Sequence, residues 1–365
     1  MSEVLDRTTS VAQKLRIIDS DIHPSMKTPR DLHPFLSERW RKHVSEYGKP
    51  GHRAYHARGT YPRFMPNTAR RDAWPSNGLP PGADLDFMRE QLLDRYNIEV
   101  GILEPLFDAQ LVRNSDLAAA LCSAVNDWQV ETFTNHEPRL RASIQVAFED
   151  APAAVGEIDR RVTDLRYAQI QLTSGSTEPI GRKRYWPVFE AAEHYGLPIG
   201  MHIGGDGGHA PSASGWPSFY VEDHHRLVHT MQCQVTSMIL EGVFERFPGL
   251  KVICIEGGLA WAPSLAWRLD RHWEKMRGEV PECREKPSFY MRRNVWFSTQ
   301  PMEEPERPDD LRRIFDAIGW DHILYASDYP HWDFDDPYQA FPCRLSPAEQ
   351  HAILHGNAEK VYRLA

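Results

Sequence analysis

Short runs of β-branched and aliphatic residues alternate with longer amphipathic stretches along this sequence, and there are eight such runs. They occupy 16–20, 99–104, 141–148, 167–172, 197–203, 250–256, 294–299 and 322–327. This alternation is typical of a parallel sheet whose strands are joined by helices. Eight units without a GxGxxG turn after the first favour a closed barrel over an open doubly wound sheet. We therefore predict an α/β fold of the (β/α)8 TIM-barrel type.

The chain of 365 residues is long for one domain, but a barrel with insertions accommodates it, so we predict a single domain over 1–365. One long polar insertion lies at about 40–82, after the first predicted strand. Such a loop in a compact domain is usually either functional or disordered. Its aromatic residues favour a lid or substrate wall, and we predict substrate contacts from Arg53, Tyr61 and Arg63.

Charge and cysteine content restrict the class of protein. The formal net charge of -9 argues against a nucleic-acid or anionic-membrane surface. The odd number of five cysteines, none in a CxxC pair, favours reduced thiols over a disulfide framework. No secretory signal is readable at the N-terminus, and no apolar run approaches the roughly 20 residues of a membrane span. We expect a cytoplasmic protein that acts on a small molecule.

Residues of the kinds that bind metals follow four of the predicted strands. Asp21 and His23 follow the first strand, with the two-residue spacing that places both side chains on one face of an extended segment. His202 lies in the fifth run, Glu256 ends the sixth, and Asp328 follows the eighth. The carboxyl ends of barrel strands meet around one mouth. A mixed nitrogen and oxygen set of this kind suits Zn²⁺, Mn²⁺ or Fe²⁺.

Each of these residues also has a structural explanation when taken alone. A single histidine at a strand end is more often hydrogen-bonded than metal-bound, and Asp328 could cap a turn. Most of the 17 histidines cannot be ligands, and we assign His224, His225, His351 and His355 to surface or packing positions. The coincidence of four strand ends favours a metal site.

The Asp-x-His pair at 21–23, His202, the Glu-Gly-Gly segment at 256–258 and the Ser-Asp-Tyr-Pro segment at 327–330 resemble the amidohydrolase superfamily. The similarity is to the branch that contains aminocarboxymuconate-semialdehyde decarboxylase and γ-resorcylate decarboxylase, and it extends over nearly the whole chain. It implies a distorted barrel, commonly dimeric, with one divalent metal. The implied metal ligands are Asp21, His23, His202 and Asp328, and we expect Zn²⁺ first, with Mn²⁺ or Fe²⁺ as alternatives.

Two positions depart from that family pattern. Asp21 stands where the muconate-semialdehyde enzyme has histidine, and other members of the branch have a carboxylate there. Glu256 stands where the family has its catalytic histidine. A carboxylate and an imidazole differ in ordinary pKa by about 2 units, so proton transfer must differ. Whether Glu256 is a metal ligand or an acid–base group is left open.

From these residues we predict hydrolysis of an amide, lactone or related carbonyl bond in a small aromatic or carboxylated compound. Asp328 would be the general base and Glu256 would deliver the proton to the leaving group. We predict further substrate contacts from Trp261, His331 and Trp332. The alternative within the family is non-oxidative decarboxylation, with Asp328 as the acid. A non-catalytic, metal-free barrel is the alternative of another class, and a homodimer is expected from the resemblance.

Overall fold

A computed structural model describes residues 15–48, 64–205, 212 and 214–364. Eight strands follow one another along the chain, and each overlaps one of the eight predicted runs. They are β1 Ile17–Ile22, β2 Ile98–Leu103, β3 Leu140–Gln145, β4 Tyr167–Thr173, β5 Ile199–His202, β6 Val252–Ile255, β7 Val295–Ser298 and β8 Ile323–Leu324.

The strands form one sheet in the order β1 to β8, and every neighbouring pair is parallel. The first and last strands approach each other through backbone contacts. Ser20 N donates to Tyr325 O at 3.0 Å and His23 N donates to Tyr329 O at 2.7 Å. Ile22 and Tyr329 form an isolated parallel bridge. The sheet is therefore a nearly closed barrel, and the predicted (β/α)8 architecture is confirmed.

Twelve α-helices accompany the strands in the described part of the chain. They are α1 Glu38–Tyr47, α2 Leu85–Met88, α3 Ser115–Gln129, α4 Ala151–Arg161, α5 Trp186–Tyr195, α6 Tyr220–Leu240, α7 Val243–Arg246, α8 Trp261–Met276, α9 Pro287–Asn294, α10 Pro308–Ile318, α11 Pro347–His351 and α12 Asn357–Tyr362. One-turn π segments continue α2, α3 and α11 at Arg89–Leu93, Val130–Thr134 and Ala352–Gly356. None of the helices that the structure describes is both long and apolar enough to cross a membrane.

Local sequence explains where several helices begin and end. The side chain of Asn114 accepts from Leu117 N at the start of α3, and Asp150 accepts from Ala153 N at the start of α4. These caps satisfy amide groups that have no partner within the first turn. Helix α5 ends at Gly196, which has a φ of 66°, a conformation that glycine adopts without steric cost.

Two hydrophobic clusters reflect the alternation of side chains along the strands. Ile17 belongs to the larger cluster, which lies between the sheet and the helices, whereas its neighbour Ile18 belongs to a smaller one. Strand residues of the smaller cluster include Ile102, Ile253 and Leu324, and Tyr362 of α12 packs with them. Successive residues of a strand face opposite sides of the sheet. The smaller cluster is therefore the interior of the barrel, and α12 covers one end of it.

The described part of the insertion packs beside the segment that follows β8. Ala69 forms an antiparallel bridge with His331, and Trp332 N donates to Thr68 O at 2.8 Å. Arg53, Tyr61 and Arg63 lie outside the described residues. Their substrate contacts and the lid at 40–82 remain predictions.

Glu137 joins the helical segments before β2 and β3 through buried ion pairs. Its carboxylate accepts from Arg139 Nε and from Arg89 Nε, each at 2.8 Å, and the residue is 4% exposed. Hydrogen bonding to Arg139 lowers the pKa of Glu137 from 4.5 to about 2, against burial, and Arg89 adds to this effect. Because the folded-state pKa is depressed, the stabilisation is present above pH 4.5 and is lost as the pH falls towards about 2.

Glu137→Gln is expected to lower the free energy of unfolding at pH 7 by about 1–3 kcal/mol, because it removes the buried carboxylate that two partly buried guanidinium groups share. The variant should also lose less stability than the wild type between about pH 6 and pH 3. Thermal unfolding at both pH values measures this, with the exposed Glu131→Gln as the matched control. If the wild type and Glu137→Gln lost the same stability between these pH values, the result would contradict the role of Glu137.

Candidate metal centre and active site

The barrel brings the predicted metal-binding residues together at the carboxyl ends of its strands. Asp21 lies at the end of β1 and His23 directly after it, while His202 is the last residue of β5. Glu256 follows β6 and Asp328 follows β8. All five residues are at most 6% exposed. Four strand ends therefore contribute to one buried cluster, as their positions in the sequence predict.

Two backbone turns aim the acidic side chains of this cluster. Glu256 and Asp328 have φ values of 56° and 59°, in the left-handed region that residues other than glycine rarely occupy. Glu256 N donates to Ser298 Oγ at 3.0 Å, and Asp328 N donates to Asp21 O at 3.2 Å. Such conformations persist only where the surroundings hold them. Here the chain turns immediately after the strand and directs each carboxylate towards the cluster.

Two backbone carbonyls orient the imidazoles. His23 Nδ1 lies 2.7 Å from Glu104 O, and His202 Nδ1 lies 2.5 Å from Ile203 O. A carbonyl oxygen only accepts, so each Nδ1 carries the hydrogen and each Nε2 presents a lone pair in the neutral ring. Burial, with His331 and His202 nearby, holds the pKa of His23 well below its usual value. Both rings therefore have the tautomer of a metal ligand that binds through Nε2.

The atoms facing each other at this point are nearly all acceptors. His23 Nε2 lies 3.3 Å from Asp21 Oδ1, and His202 Nε2 lies 3.7 Å from Asp21 Oδ2. These four atoms are buried, and the two Asp21 oxygens have no hydrogen-bond donor among the described residues. The two Nε2 atoms face carboxylate oxygens of Asp328 and Glu256 as well, which are acceptors like themselves. Buried carboxylates and lone pairs without donors are costly. A divalent cation satisfies all of them at once, so the residues present fit a metal ion.

Protonation of His202 is the alternative way to compensate the same charge. Burial lowers the pKa of His202, but Asp21 and Glu256 outweigh burial and raise that pKa to about 10. A proton on Nε2 and a metal at Nε2 are mutually exclusive, and metal ligands must be deprotonated. The unpartnered Asp21 oxygens and the tautomer of His23 favour the metal.

Among the described residues, the ligand-type atoms form three overlapping groups, in each of which all atoms lie within 4.8 Å of one another. One group consists of Asp21, His23, His202 and Glu256, a second of His23, Glu256, Asp328 and His331, and a third of His224, Glu256 and Asp333. The four residues predicted as ligands thus do not form one such group, since Glu256 rather than Asp328 accompanies Asp21. Glu256 Oε2 lies 2.9 Å from His202 Nε2 and 4.0 Å from His23 Nε2. This position is compatible with Glu256 acting as a metal ligand and with Glu256 acting as an acid–base group.

Asp328 is fully buried and has three close side-chain neighbours. Its Oδ1 lies 2.5 Å from His331 Nδ1 and 2.7 Å from His23 Nε2, and its Oδ2 accepts from Gln300 Nε2 at 3.0 Å. Burial, reinforced by the negative charge of Glu256, raises the pKa of Asp328 well above its usual value. Asp328 is therefore placed to exchange a proton with His331 at the edge of the cluster.

A cavity of about 810 Å³ opens above the cluster. His331 and Trp332, both predicted as substrate contacts, line it, together with Phe107 and the amide side chains of Gln145 and Gln171. The cavity therefore combines aromatic and amide surfaces, which suits a small polar aromatic compound.

The predicted contact from Trp261 is not supported by its position. Trp261 is not among the described residues that line the cavity. Its indole N–H donates to Gly257 O at 2.9 Å, and its ring packs on Phe297 with centroids 5.4 Å apart. The indole therefore anchors the segment after β6 instead of facing the substrate.

His224, predicted to occupy a surface or packing position, faces the cavity. His224 lines the cavity, and its Nε2 lies 3.3 Å from Asp333 Oδ2. Burial lowers the pKa of His224, but its hydrogen bond to Asp333 and the charge of Glu256 produce a net increase. The sequence contained a signal, because Tyr220, His224 and Leu227 recur with helical spacing and all line the cavity. That spacing shows a shared helix face but not what the face contacts.

Comparison with known proteins is consistent with this geometry. Residues 18–364 match the model of the Amidohydrolase family, so the chain belongs to that family, and the predicted superfamily is confirmed. A γ-resorcylate decarboxylase from Rhodococcus jostii (strain RHA1) is 23% identical over 303 residues, which cover 77% of this chain and 88% of the relative.

Solved structures show the same fold. An amidohydrolase from Mycobacterium avium subsp. paratuberculosis K-10 superposes with a TM-score of 0.72 at 22% identity and covers 96% of this chain and 100% of its own. The 5-carboxyvanillate decarboxylase from Novosphingobium aromaticivorans, complexed with manganese and 4-hydroxy-3-methoxy-5-nitrobenzoic acid, has a TM-score of 0.68 at 19% identity. That match covers 99% of this chain and 100% of the other.

Metal analysis tests the cluster directly. The wild type, purified without chelators, is expected to hold about one equivalent of a divalent metal, and His202→Ala and Asp21→Asn less than about a tenth of that. Plasma mass spectrometry measures the content. The control is His229→Ala, a substitution of an exposed histidine on the same helix as His224. Full metal content in both site variants, or a wild type that stays metal-free after reconstitution with Mn²⁺ and Zn²⁺, would contradict the assignment.

Proposed function

We propose that this protein is a metal-dependent carboxy-lyase that removes a carboxylate from a hydroxylated aromatic acid without oxidation. The proposal rests on the buried cluster of potential metal-ligand atoms around Asp21 at the floor of the cavity, with the Asp328–His331 pair at its edge. The residues of this floor would hold a divalent metal that could bind a carboxylate, and the Asp328–His331 pair would hold a proton beside it.

The proposed metal ligands are Asp21, His23 and His202, with Glu256 as a further candidate. Asp328, predicted as the fourth ligand, lies beside them and is proposed here as the acid, because a metal ligand must be deprotonated. Mn²⁺ and Zn²⁺ both suit mixed imidazole and carboxylate ligands. A dihydroxybenzoic acid decarboxylase and a 5-carboxyvanillate decarboxylase of this fold each contain manganese. These structures support Mn²⁺ as an alternative to the expected Zn²⁺. When bound, the metal supplies positive charge that holds the carboxylate of the substrate and an adjacent oxygen.

Asp328 is the proposed acid. In the reaction the ring carbon gains a proton and loses CO2, and the electron pair of the broken C–C bond remains on the ring. Asp328 Oδ1, 2.5 Å from His331 Nδ1, supplies that proton and recovers another through His331, which borders the cavity. The hydrogen bond from Gln300 Nε2 to Oδ2 fixes the rotation of the carboxyl group, so that Oδ1 faces the site.

The predicted hydrolysis is the weaker of the two interpretations. Both would use the same metal and Asp328, but in hydrolysis Asp328 removes a proton from water, whereas in decarboxylation it gives one to carbon. The curated relatives are γ-resorcylate decarboxylases, and several solved structures of this fold are decarboxylases of aromatic acids. These similarities favour decarboxylation. The homodimer and the cytoplasmic location stay predictions.

Isotope labelling distinguishes the two reactions. With a panel of hydroxylated benzoic acids that includes 2,6-dihydroxybenzoate, we expect CO2 and a ring product that gains one deuterium in D2O and no ¹⁸O from labelled water. Asp328→Asn should lower the rate by about 10²–10⁴-fold, since general acid catalysis contributes that much. Gas analysis and mass spectrometry measure both, and the exposed Asp309→Asn is the control.

Hydrolysis of an amide or lactone panel with ¹⁸O incorporation, and no CO2 from any acid, would overturn the proposal in favour of the hydrolase. Full activity of Asp328→Asn would remove Asp328 as the acid and leave the reaction class standing.

A further inference from the structure

The first turns of α6 form one wall of the cavity. Tyr220, His224 and Leu227 face it from successive turns, and Arg226 lines it as well. Trp216, just before the helix, belongs to the same wall. This wall is separate in sequence from the strand-end cluster, and the proposed reaction above gives it no role.

Arg226 is a largely buried cation with unused hydrogen-bonding capacity. Its side chain is 12% exposed, and its Nε and Nη2 both lie 2.5 Å from Asp223 Oδ1. Its Nη1 is buried and has no hydrogen-bond partner among the described residues. A guanidinium group has five N–H donors, and Asp223 engages only one edge of it. The guanidinium group therefore keeps unused hydrogen-bond donors beside the cavity that it lines.

Arg226 lies among acidic residues in the lining of the cavity. Among the described residues that line the cavity, Arg226 is the one arginine or lysine. Its acidic neighbours in that lining are Asp108, Asp223, Glu256 and Asp333. An anionic compound entering such a cavity is repelled unless cations compensate its charge. The proposed metal compensates one anionic group at the floor, and Arg226 provides a second, separate positive charge on the wall.

Trp216 holds the orientation of the guanidinium group. The Arg226 Cζ lies 5.3 Å from the centroid of the Trp216 ring, which is within the range of a cation–π contact. With Asp223 on one side and Trp216 on another, the plane of the group is constrained before a ligand arrives. Preorganised guanidinium groups bind planar carboxylates with good geometry and little entropy loss.

We propose that Arg226 binds a second anionic group of the substrate through its guanidinium group, so that the preferred substrates are aromatic acids with two carboxylates. This inference rests on the proposed function, since the first carboxylate is the one held at the metal. Arg226 is then a specificity-determining residue and takes no part in proton transfer. A purely structural role for the Asp223–Arg226 pair would affect folding but not the choice between one and two carboxylates.

The test is the binding of benzoate and of the three benzenedicarboxylate isomers to the metal-loaded protein by titration calorimetry. We expect at least one isomer to bind about 10-fold more tightly than benzoate, a gain of about 1.4 kcal/mol. In Arg226→Gln that gain should vanish while benzoate affinity stays within about 2-fold of the wild type. Arg226→Lys, which keeps the charge but not the planar edge, should retain part of it.

Arg313→Gln is the matched control, because Arg313 forms the same i, i+3 pair with an aspartate, at 3.0 Å from Asp310, on the exposed surface of α10. It should bind every ligand like the wild type. Thermal unfolding of each variant reports whether the fold is retained, and Arg226→Lys keeps the test valid if Arg226→Gln does not fold.

Wild type that binds benzoate in a metal-dependent way but no isomer more tightly would overturn this inference and leave the proposed function intact. An equal loss of benzoate and isomer affinity in Arg226→Gln would overturn it as well. An Arg226-dependent gain for an isomer without any dependence on metal would support the subsite and contradict the metal-based function. Failure of the wild type to bind any of the four compounds would overturn this inference, while the proposed function is decided separately by the assay with hydroxylated benzoic acids.

Discussion

The structure depends most on the crowding of unpaired acceptor atoms around Asp21. Both carboxylate oxygens and the Nε2 atoms of His23 and His202 are buried and have no donor among the described residues. Such an arrangement opposes folding unless a cation compensates it. The carbonyls of Glu104 and Ile203 nevertheless turn both imidazoles so that their lone pairs face the carboxylate. The surroundings thus keep several acceptor atoms close together, and the resulting negative potential favours binding of a divalent cation.

Barrel closure turns this local cluster into a reaction site. Parallel strands end on the same side, so β1, β5, β6 and β8 contribute to one floor, and the connections that follow them form the walls. The walls differ chemically. The segment after β8 supplies a carboxyl–imidazole pair in Asp328 and His331, and α6 supplies the guanidinium group of Arg226. A ligand that spanned the cavity would meet different chemical groups at its two ends.

Glu256 changes the charge of this family site. A carboxylate replaces the histidine that the resemblance assigns to the end of the sixth strand, and its Oε2 lies 2.9 Å from His202 Nε2. Close to it, His224 pairs with Asp333, so an imidazole–carboxylate pair from other parts of the chain stands beside the substituted position. The site is thereby more acidic than the pattern that the resemblance implies.

The sequence by itself determined the barrel and the strand-end cluster. Side-chain alternation and the residue types at strand ends are local, and local patterns can be read from the chain. The positions of Trp261, His224 and Arg226 were decided only by the tertiary structure. The indole of Trp261 donates a hydrogen bond to a backbone carbonyl. His224 and Arg226 line a cavity whose other walls come from distant parts of the sequence. Helical spacing shows which residues share a face, but what that face meets depends on the closure of the whole barrel.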